Sequence, residues 1–258
     1  GQLADAYLAA ERYEDAITEY TAILTTGKAD ELAHFGRARA NQALAHADAA
    51  KLDTASLNAA AADFQAVVDI AKGGEMAHVD PMLNAAYYGL GAIALEENDL
   101  VGAIEQLSAA IAIKRSDADA LNLLGTAYVR NGEPAKAIQP LRLAIAFVPI
   151  GWSEPYATLA QAYGDTGDPA RAAWATAMAD LSEKSYESAE TGLLAILDGP
   201  AALEATIGLA LVNEMRGDTP AAAEWYEKAL VLDPQNAEAR LGMTRVTLPG
   251  ASGEGVTP

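Results

Sequence analysis

The segment LNLLGTAYVRNGEPAKAIQPLRLAIAFVP, residues 121–149, decides the fold because its small and apolar positions recur along the chain. The counterparts lie 34 residues upstream: Leu90, Gly91, Ala103, Leu107 and Ala110 precede Leu124, Gly125, Ala137, Leu141 and Ala144. A unit of this length is one helical hairpin, which cannot bury its apolar face alone and stacks on its neighbours. The spacing therefore predicts an all-α solenoid of stacked helical hairpins without β-strands.

The same register extends through most of the chain, with irregular steps. A displacement of 35 carries Leu124 onto Leu159, and a further displacement of 50 carries Leu159 onto Leu209. We therefore predict a single solenoid over 1–247 and a flexible tail over 248–258. The solenoid divides into a partial unit (1–28), an irregular long hairpin (29–83), repeats (84–117, 118–151, 152–186 and 203–236), an extra helix (187–202) and a terminal helix (237–247).

Glycine and proline punctuate the predicted hairpins in a consistent order. Gly132, Gly167 and Gly217 fall where the first helix of a hairpin should end, a place that favours a left-handed residue. A proline follows within three residues in each case, at Pro134, Pro169 and Pro220, and proline suits the first turn of a helix. These pairs predict short turns inside three of the repeats.

Residues 121–149 and the segment ATIGLALVNEMRGDTPAAAEWYEKALVLDP, residues 205–234, resemble the tetratricopeptide repeat. The matching positions are the Leu124-Gly125 pair, the following Tyr128, the triplet Ala222, Tyr226 and Ala229, and the closing Pro149 and Pro234. The resemblance covers nearly the whole chain. It implies a right-handed superhelix whose concave face, formed by the first helix of each hairpin, binds peptides.

Mapping that face onto this sequence gives a groove of mixed polar and apolar character. The candidate peptide-binding residues are His34, Arg37, Asn41, Tyr88, Asn122, Thr126, Arg130, Gln161 and Leu211. Arginine can fork onto a carboxylate or backbone carbonyl groups, and asparagine can pair with a peptide backbone as donor and acceptor. The alternative interpretation is that many of these are ordinary solvated residues on exposed helices. The Lys and Asn pattern of family members that bind chaperone tails is missing at the matching positions.

Three irregular segments interrupt the period. Residues 46–57 are rich in alanine and contain neither glycine nor proline, which predicts that both helices of the second hairpin lengthen there. Residues 73–81 contain Gly-Gly and Asp-Pro pairs and read as a linker. Trp174 falls at an outward position of its repeat, and we expect the extra helix to cover it, because a tryptophan is rarely left in solvent.

Composition narrows the range of partners. The 258 residues carry a formal net charge of -19, with 17 basic against 36 acidic side chains, which argues against nucleic-acid binding and favours a protein or peptide partner with basic flanks. The alternative explanation is that the charge only keeps an alanine-rich helical surface soluble. No cysteine is present and no run of about 20 apolar residues could span a membrane.

The sequence offers no catalytic constellation, metal site or cofactor motif. The three histidines, His34, His46 and His78, fall on separate elements, and Gly89-Leu90-Gly91 lies inside a helical repeat with no strand before it. We therefore expect no cofactor and no catalysis, and predict a protein-interaction scaffold or adaptor. The alternatives are a self-associating spacer, that is a homo-oligomer, and a regulatory or recruiting part of a larger enzyme. A cytoplasmic location is favoured, with an anchored envelope protein as the alternative if a segment precedes residue 1.

Overall fold

The computed structural model describes residues 1–27, 30–72, 79–148 and 150–248, and these residues form helices and turns without a strand. The described helices are α1 (Gln2–Ala9), α2 (Tyr13–Leu24), α3 (Glu31–Ala45), α4 (Thr54–Ala71), α5 (Pro81–Glu96), α6 (Leu100–Ile113), α7 (Ala118–Arg130), α8 (Pro134–Phe147), α9 (Glu154–Asp165), α10 (Pro169–Ser182), α11 (Tyr186–Leu194), α12 (Ala202–Arg216), α13 (Thr219–Leu232) and α14 (Ala237–Thr247). The predicted all-α class of stacked hairpins is confirmed. Most of the predicted linker 73–81 and the tail beyond residue 248 lie outside the described residues.

The chain divides into two compact units, an N-terminal unit over 1–131 and a C-terminal unit from residue 132 onward. In the N-terminal unit each helix from α1 to α7 packs on the next one along the chain. Among the described residues, its core includes apolar clusters around Tyr20, Phe64 and Leu107, in chain order. In the C-terminal unit one larger cluster joins residues from α9 to α14. The predicted repeat boundaries stay a prediction.

Aspartate side chains set where many helices begin. Asp30, Asp99, Asp117, Asp168 and Asp218 each accept a hydrogen bond from the backbone N–H three residues on, at 3.0–3.1 Å. Such caps satisfy N–H groups that the first turn of a helix leaves without a partner. Some of the acidic residues of this chain therefore act as helix N-caps.

Glycine acts at the turns, as the sequence predicts, and also where two helices approach closely. Gly132, Gly167 and Gly217 have φ values of +74°, +80° and +81°, in the left-handed region. Gly91 in α5 faces Leu107 of α6, and an added Cβ there would approach the Leu107 side chain to 2.5 Å. A larger residue at position 91 would therefore push apart the two helices of this hairpin.

The insertion at 46–57 differs from its prediction. Helix α3 ends at Ala45 and α4 begins at Thr54, so residues 46–53 form the tip of the hairpin as turns. Asp48 accepts the N–H of Ala50 at 2.9 Å, and Asp53 accepts the N–H of Ala55 at 3.0 Å. Asp53 is the N-cap of α4, so its hydrogen bond marks the start of that helix. The prediction that both helices lengthen is right for α4, which has 18 residues and begins inside the insertion, and wrong for α3, which ends before the insertion.

The segment predicted as an extra helix over 187–202 contains all of α11 except its first residue, Tyr186, and also the first residue of α12. Residues 195–201 between them form turns that contain the Asp198-Gly199-Pro200 sequence. Helix α11 packs on both α10 and α12. Trp174 in α10 is partly buried and lines a cleft described below. That α11 covers it stays a prediction.

Candidate functional site

The predicted site residues fall in both compact units. His34, Arg37 and Asn41 lie on α3, Tyr88 on α5, and Asn122, Thr126 and Arg130 on α7, all in the N-terminal unit. Gln161 on α9 and Leu211 on α12 belong to the C-terminal unit. We call the surface of α3, α5 and α7 that carries the former group the first-helix face.

Arg37 and His34 share one carboxylate. The Arg37 guanidinium donates to both oxygens of Asp63 on α4, with Nε to Oδ2 at 2.7 Å and Nη2 to Oδ1 at 2.8 Å, and its Nη1 donates to the Thr21 hydroxyl at 3.0 Å. His34 Nδ1 lies 2.7 Å from Asp63 Oδ1. The hydrogen bond to Asp63 raises the pKa of Arg37. This arrangement ties α2, α3 and α4 together, so a partner would have to compete with Asp63 for Arg37.

Asn122 is buried without full hydrogen bonding. Its side chain is 6 % exposed, and its Oδ1 has no hydrogen-bond partner among the described residues. By contrast, the buried Asn84 donates from Nδ2 to the Ala110 carbonyl at 3.0 Å, and Asn213 donates to the Leu209 carbonyl at 2.8 Å. Buried polar atoms are nearly always paired, so the acceptor on Asn122 calls for an explanation.

The other predicted residues of the N-terminal unit differ in how available they are. Arg130 is exposed and donates from Nη2 to Asn98 Oδ1 at 2.9 Å, which leaves further guanidinium donors for solvent or a partner. Thr126 donates to the Asn122 carbonyl at 3.0 Å within α7. Tyr88 is partly buried against the cluster of α5, α6 and α7, while Asn41 is 7 % exposed.

The C-terminal unit contains a cleft of about 870 Å³ that the sequence did not predict as a site. We call it the C-terminal cleft. The residues that define it come from α8, α9, α10, α12 and α14: Arg142, Tyr156, Trp174, Leu211, Glu238 and Leu241. Of the predicted residues only Leu211 lines it. The outward position of Trp174 was the sequence signal that could have located this surface.

The walls of the C-terminal cleft are aromatic and aliphatic. Tyr156 and Trp174 pack edge to face, with ring centroids 6.1 Å apart and an interplanar angle of 76°. Leu241 is 64 % exposed, whereas Leu211 is 8 % exposed. Large aromatic side chains in such a place are typical anchors for a binding partner.

One end of the cleft is formed by a partly exposed polar cluster. Arg245 of α14 donates from Nε and Nη2 to the two oxygens of Glu214 on α12, at 2.8 and 2.9 Å, and the Tyr226 hydroxyl donates to Glu214 at 2.7 Å. Desolvation acts to raise the pKa of Glu214, but the hydrogen bonds from Arg245 and Tyr226 outweigh it and lower the pKa. These contacts hold α12, α13 and α14 in place.

Glu238 has a different electrostatic environment. Desolvation raises the pKa of Glu238, and the nearby charge of Arg245 only partly offsets this effect. The pKa of Tyr156 rises to about 12, first through desolvation and then through the charge of Glu238. Glu238 is nevertheless an exposed residue, so a partner can reach it from solvent.

Two classes of site are not found among the residues that the structure describes. No group of three or more His, Asp or Glu side chains in these ranges is arranged to hold a metal ion. None of the described helices combines the length and the apolar composition needed to cross a membrane.

Comparison with known proteins agrees with the helical repeats. A family described as TPR repeat matches residues 91–132, and one described as Tetratricopeptide repeat matches residues 157–237. No curated protein matches the chain. A crystal structure of MamA shares 22 % sequence identity over 71 % of this chain and 96 % of its own, with a TM-score of 0.58. The C-terminal part of a TPR repeat-containing protein from Cytophaga hutchinsonii shares 17 % identity over 94 % of this chain and 98 % of its own, with a TM-score of 0.50.

Proposed function

We propose that this chain, a member of the tetratricopeptide-repeat family, is a non-catalytic scaffold or adaptor. It binds a peptide or helix of a partner protein. Membership of this family supports a general protein-binding role. In the proposal the first-helix face of the N-terminal unit makes the contact, through Tyr88, Asn122 and Arg130.

The observation that carries the proposal is the unpaired acceptor of Asn122. Tyr88 and Asn122 are 34 residues apart and therefore hold the same position in α5 and α7, two helices in direct contact. The terminal torsion of asparagine is broad, so a small rotation can turn its amide towards a ligand. A peptide N–H donated to Oδ1 would remove the cost of leaving this acceptor buried and unpaired, about 1–3 kcal/mol.

Arg130 supplies the second contact in the proposal. It lies two helical turns beyond Asn122 on α7, and only one of its nitrogens is bound to Asn98. A carboxylate or carbonyl group of the partner can therefore be bound without breaking an internal ion pair. Arg37, which the sequence places on the same face, would act indirectly by fixing α3 against α4 through Asp63.

The test begins with short random peptides displayed on phage and selected on the immobilised full chain. A selected peptide is synthesised with a fluorophore, and its Kd is measured by anisotropy for the parent, Asn122→Ala and Arg130→Ala. Arg115→Ala is the matched control, because Arg115 is an exposed arginine in the turn before α7, at the opposite end of that helix from Arg130.

We expect Asn122→Ala and Arg130→Ala to weaken binding about tenfold or more, equivalent to about 1.4 kcal/mol, while Arg115→Ala leaves Kd unchanged. Unfolding curves of all variants check that the fold persists. Failure to select any peptide, or equal Kd values for the parent and both variants, would exclude the first-helix face as the binding surface.

A further inference from the structure

We infer that the C-terminal cleft is a second binding site, which takes an amphipathic segment of a partner protein that has an apolar stripe, a basic residue for Glu238 and an acidic residue for Arg142. The inference rests on the proposed protein-binding role. It does not depend on the first-helix face, which lies in the other compact unit.

Apolar side chains line much of the cleft. Trp174, Tyr156, Leu211 and Leu241 offer aromatic and aliphatic contacts from four helices. Trp174 and Leu241 remain partly or largely open to solvent. Covering such side chains with an apolar partner stabilises the complex by about 25 cal/mol for each Å² of apolar surface removed from water.

The cleft also carries two side chains of opposite charge. Arg142 on α8 and Glu238 on α14 both line the cleft, and also a smaller adjoining cavity of about 170 Å³. Across the ranges that the structure describes, neither side chain forms a hydrogen bond or an ion pair. By contrast, Arg245 is bound to Glu214, and Arg171 contacts Asp168 and Glu204. Arg142 and Glu238 are thus available to charges on a ligand.

The environment of Glu238 strengthens this assignment. Glu238 lines the cleft and is exposed, so its carboxylate is accessible to a cation of the partner. A lysine or arginine placed beside it would form a charge-assisted hydrogen bond. The partner therefore needs a basic residue at one flank of its apolar stripe and an acidic residue at the other flank.

A second copy of this chain does not match that description. Each copy has a net charge of -19, so two copies repel each other at long range. The tail sequence PGASGEGVTP contains neither Lys nor Arg and cannot supply the basic residue. A different protein with a segment of mixed charge fits the cleft better.

The experiment uses the full chain with Trp152→Phe and Trp225→Phe, which leaves Trp174 as its only tryptophan. The probes are synthetic amphipathic peptides without tryptophan that have one Leu/Phe stripe. One peptide has Lys before the stripe and Glu after it, and a second has the two charges exchanged. In two further versions of each peptide, Gln replaces either Lys or Glu. Binding is followed by the emission of Trp174.

We expect one of the two charge orders to bind and to shift the emission of Trp174. In that peptide, replacing Lys by Gln should raise Kd about threefold or more for the parent and have little effect for Glu238→Gln, because the two changes remove the same contact. Replacing the Glu of the peptide by Gln should likewise raise Kd for the parent and have little effect for Arg142→Gln. Glu224→Gln and Arg240→Gln are matched charge controls on α13 and α14, outside the residues that line the cleft, and should leave both effects unchanged.

The inference is overturned if the peptide and protein substitutions have additive effects on the free energy of binding for both charge pairs. It is also overturned if neither charge order binds. Light scattering that shows a dimer through this cleft, lost in Glu238→Gln, would also overturn it in favour of self-association. These outcomes leave the proposed function intact, because that proposal is judged by peptides sensitive to Asn122→Ala and Arg130→Ala. Conversely, a cleft peptide that is insensitive to those two substitutions supports the second site alone.

Discussion

At the scale of single residues, backbone conformation separates glycines that look alike in the sequence. Gly217 ends α12 with φ +81°, whereas Gly164 lies inside α9 with open space around the position of an added Cβ. The left-handed region costs an L-residue about 1–2 kcal/mol, while a helix interior favours alanine over glycine by about 0.5–1 kcal/mol. The same substitution should therefore have opposite effects at these two positions.

We predict that Gly217→Ala lowers the free energy of unfolding by about 1 kcal/mol, because the left-handed cost exceeds the entropy that alanine removes from the unfolded chain. Gly164→Ala is the matched control and should raise the free energy of unfolding by about 0.5–1 kcal/mol. Urea denaturation of both variants measures this difference. Effects of the same sign would show that the turn after α12 does not need a left-handed residue.

At the scale of elements, the contacts between α12, α13 and α14 depend on the charge of Glu214. Its pKa is lowered in the folded chain, so the ionised carboxylate stabilises the fold above the ordinary value of 4.5. That contribution is lost as the pH falls through the lowered value. Arg245, which donates two hydrogen bonds to Glu214, is half exposed, and solvent screening reduces its contribution.

We predict that Arg245→Gln lowers the free energy of unfolding by about 1 kcal/mol near neutral pH, because the bidentate pair with Glu214 is lost. The parent and the variant should converge in acid, where Glu214 is protonated in both. Urea denaturation at several pH values is the measurement. A loss that is the same at every pH would mean that Arg245 stabilises the fold by packing alone.

Glu238 should show the opposite behaviour. Its pKa is raised in the folded chain, so this group favours the fold most below its ordinary value of 4.5, and the advantage is lost as the pH rises through the raised value. We predict that Glu238→Gln is more stable than the parent at neutral pH and equal to it in acid. Thermal unfolding of both proteins checks this, and a less stable variant at neutral pH would contradict the raised pKa of Glu238.

At the scale of the whole molecule, the net charge of -19 acts at long range on any partner with basic flanks. Charges steer diffusional encounter, and this steering falls with salt because the screening length shrinks from about 10 Å at 0.1 M to about 3 Å at 1 M. Shielded contacts within a site depend less on salt and mainly set how long the complex lasts.

We predict that added salt slows the association of the cleft-binding peptide more than it speeds dissociation. Stopped-flow measurement of the Trp174 signal gives both rate constants. The version with Gln in place of Lys is the control, and its association should show a weaker salt dependence. Equal salt dependence of the two peptides would indicate that the acidic surface does not steer binding.

Features that depend on local chemistry could be predicted from the sequence. The spacing of Leu90, Gly91, Leu124 and Gly125 predicted stacked helical hairpins, and Gly217 with Pro220 predicted a turn followed by a new helix. These predictions hold because backbone sterics and apolar periodicity act over a few residues and recur in each repeat. The same reasoning failed in part in the insertion, where α3 ends at Ala45 although the following residues are rich in alanine.

Only the tertiary structure decided which polar side chains remain available. Residues 26 positions apart, Arg37 and Asp63, meet across a hairpin, so an arginine that looks free in the sequence is already paired. Arg142, Trp174 and Glu238 come together in one cleft although they lie on α8, α10 and α14. Burial and pairing depend on how distant elements pack, and a repeat register assigns a residue to a helix face without showing what that face meets.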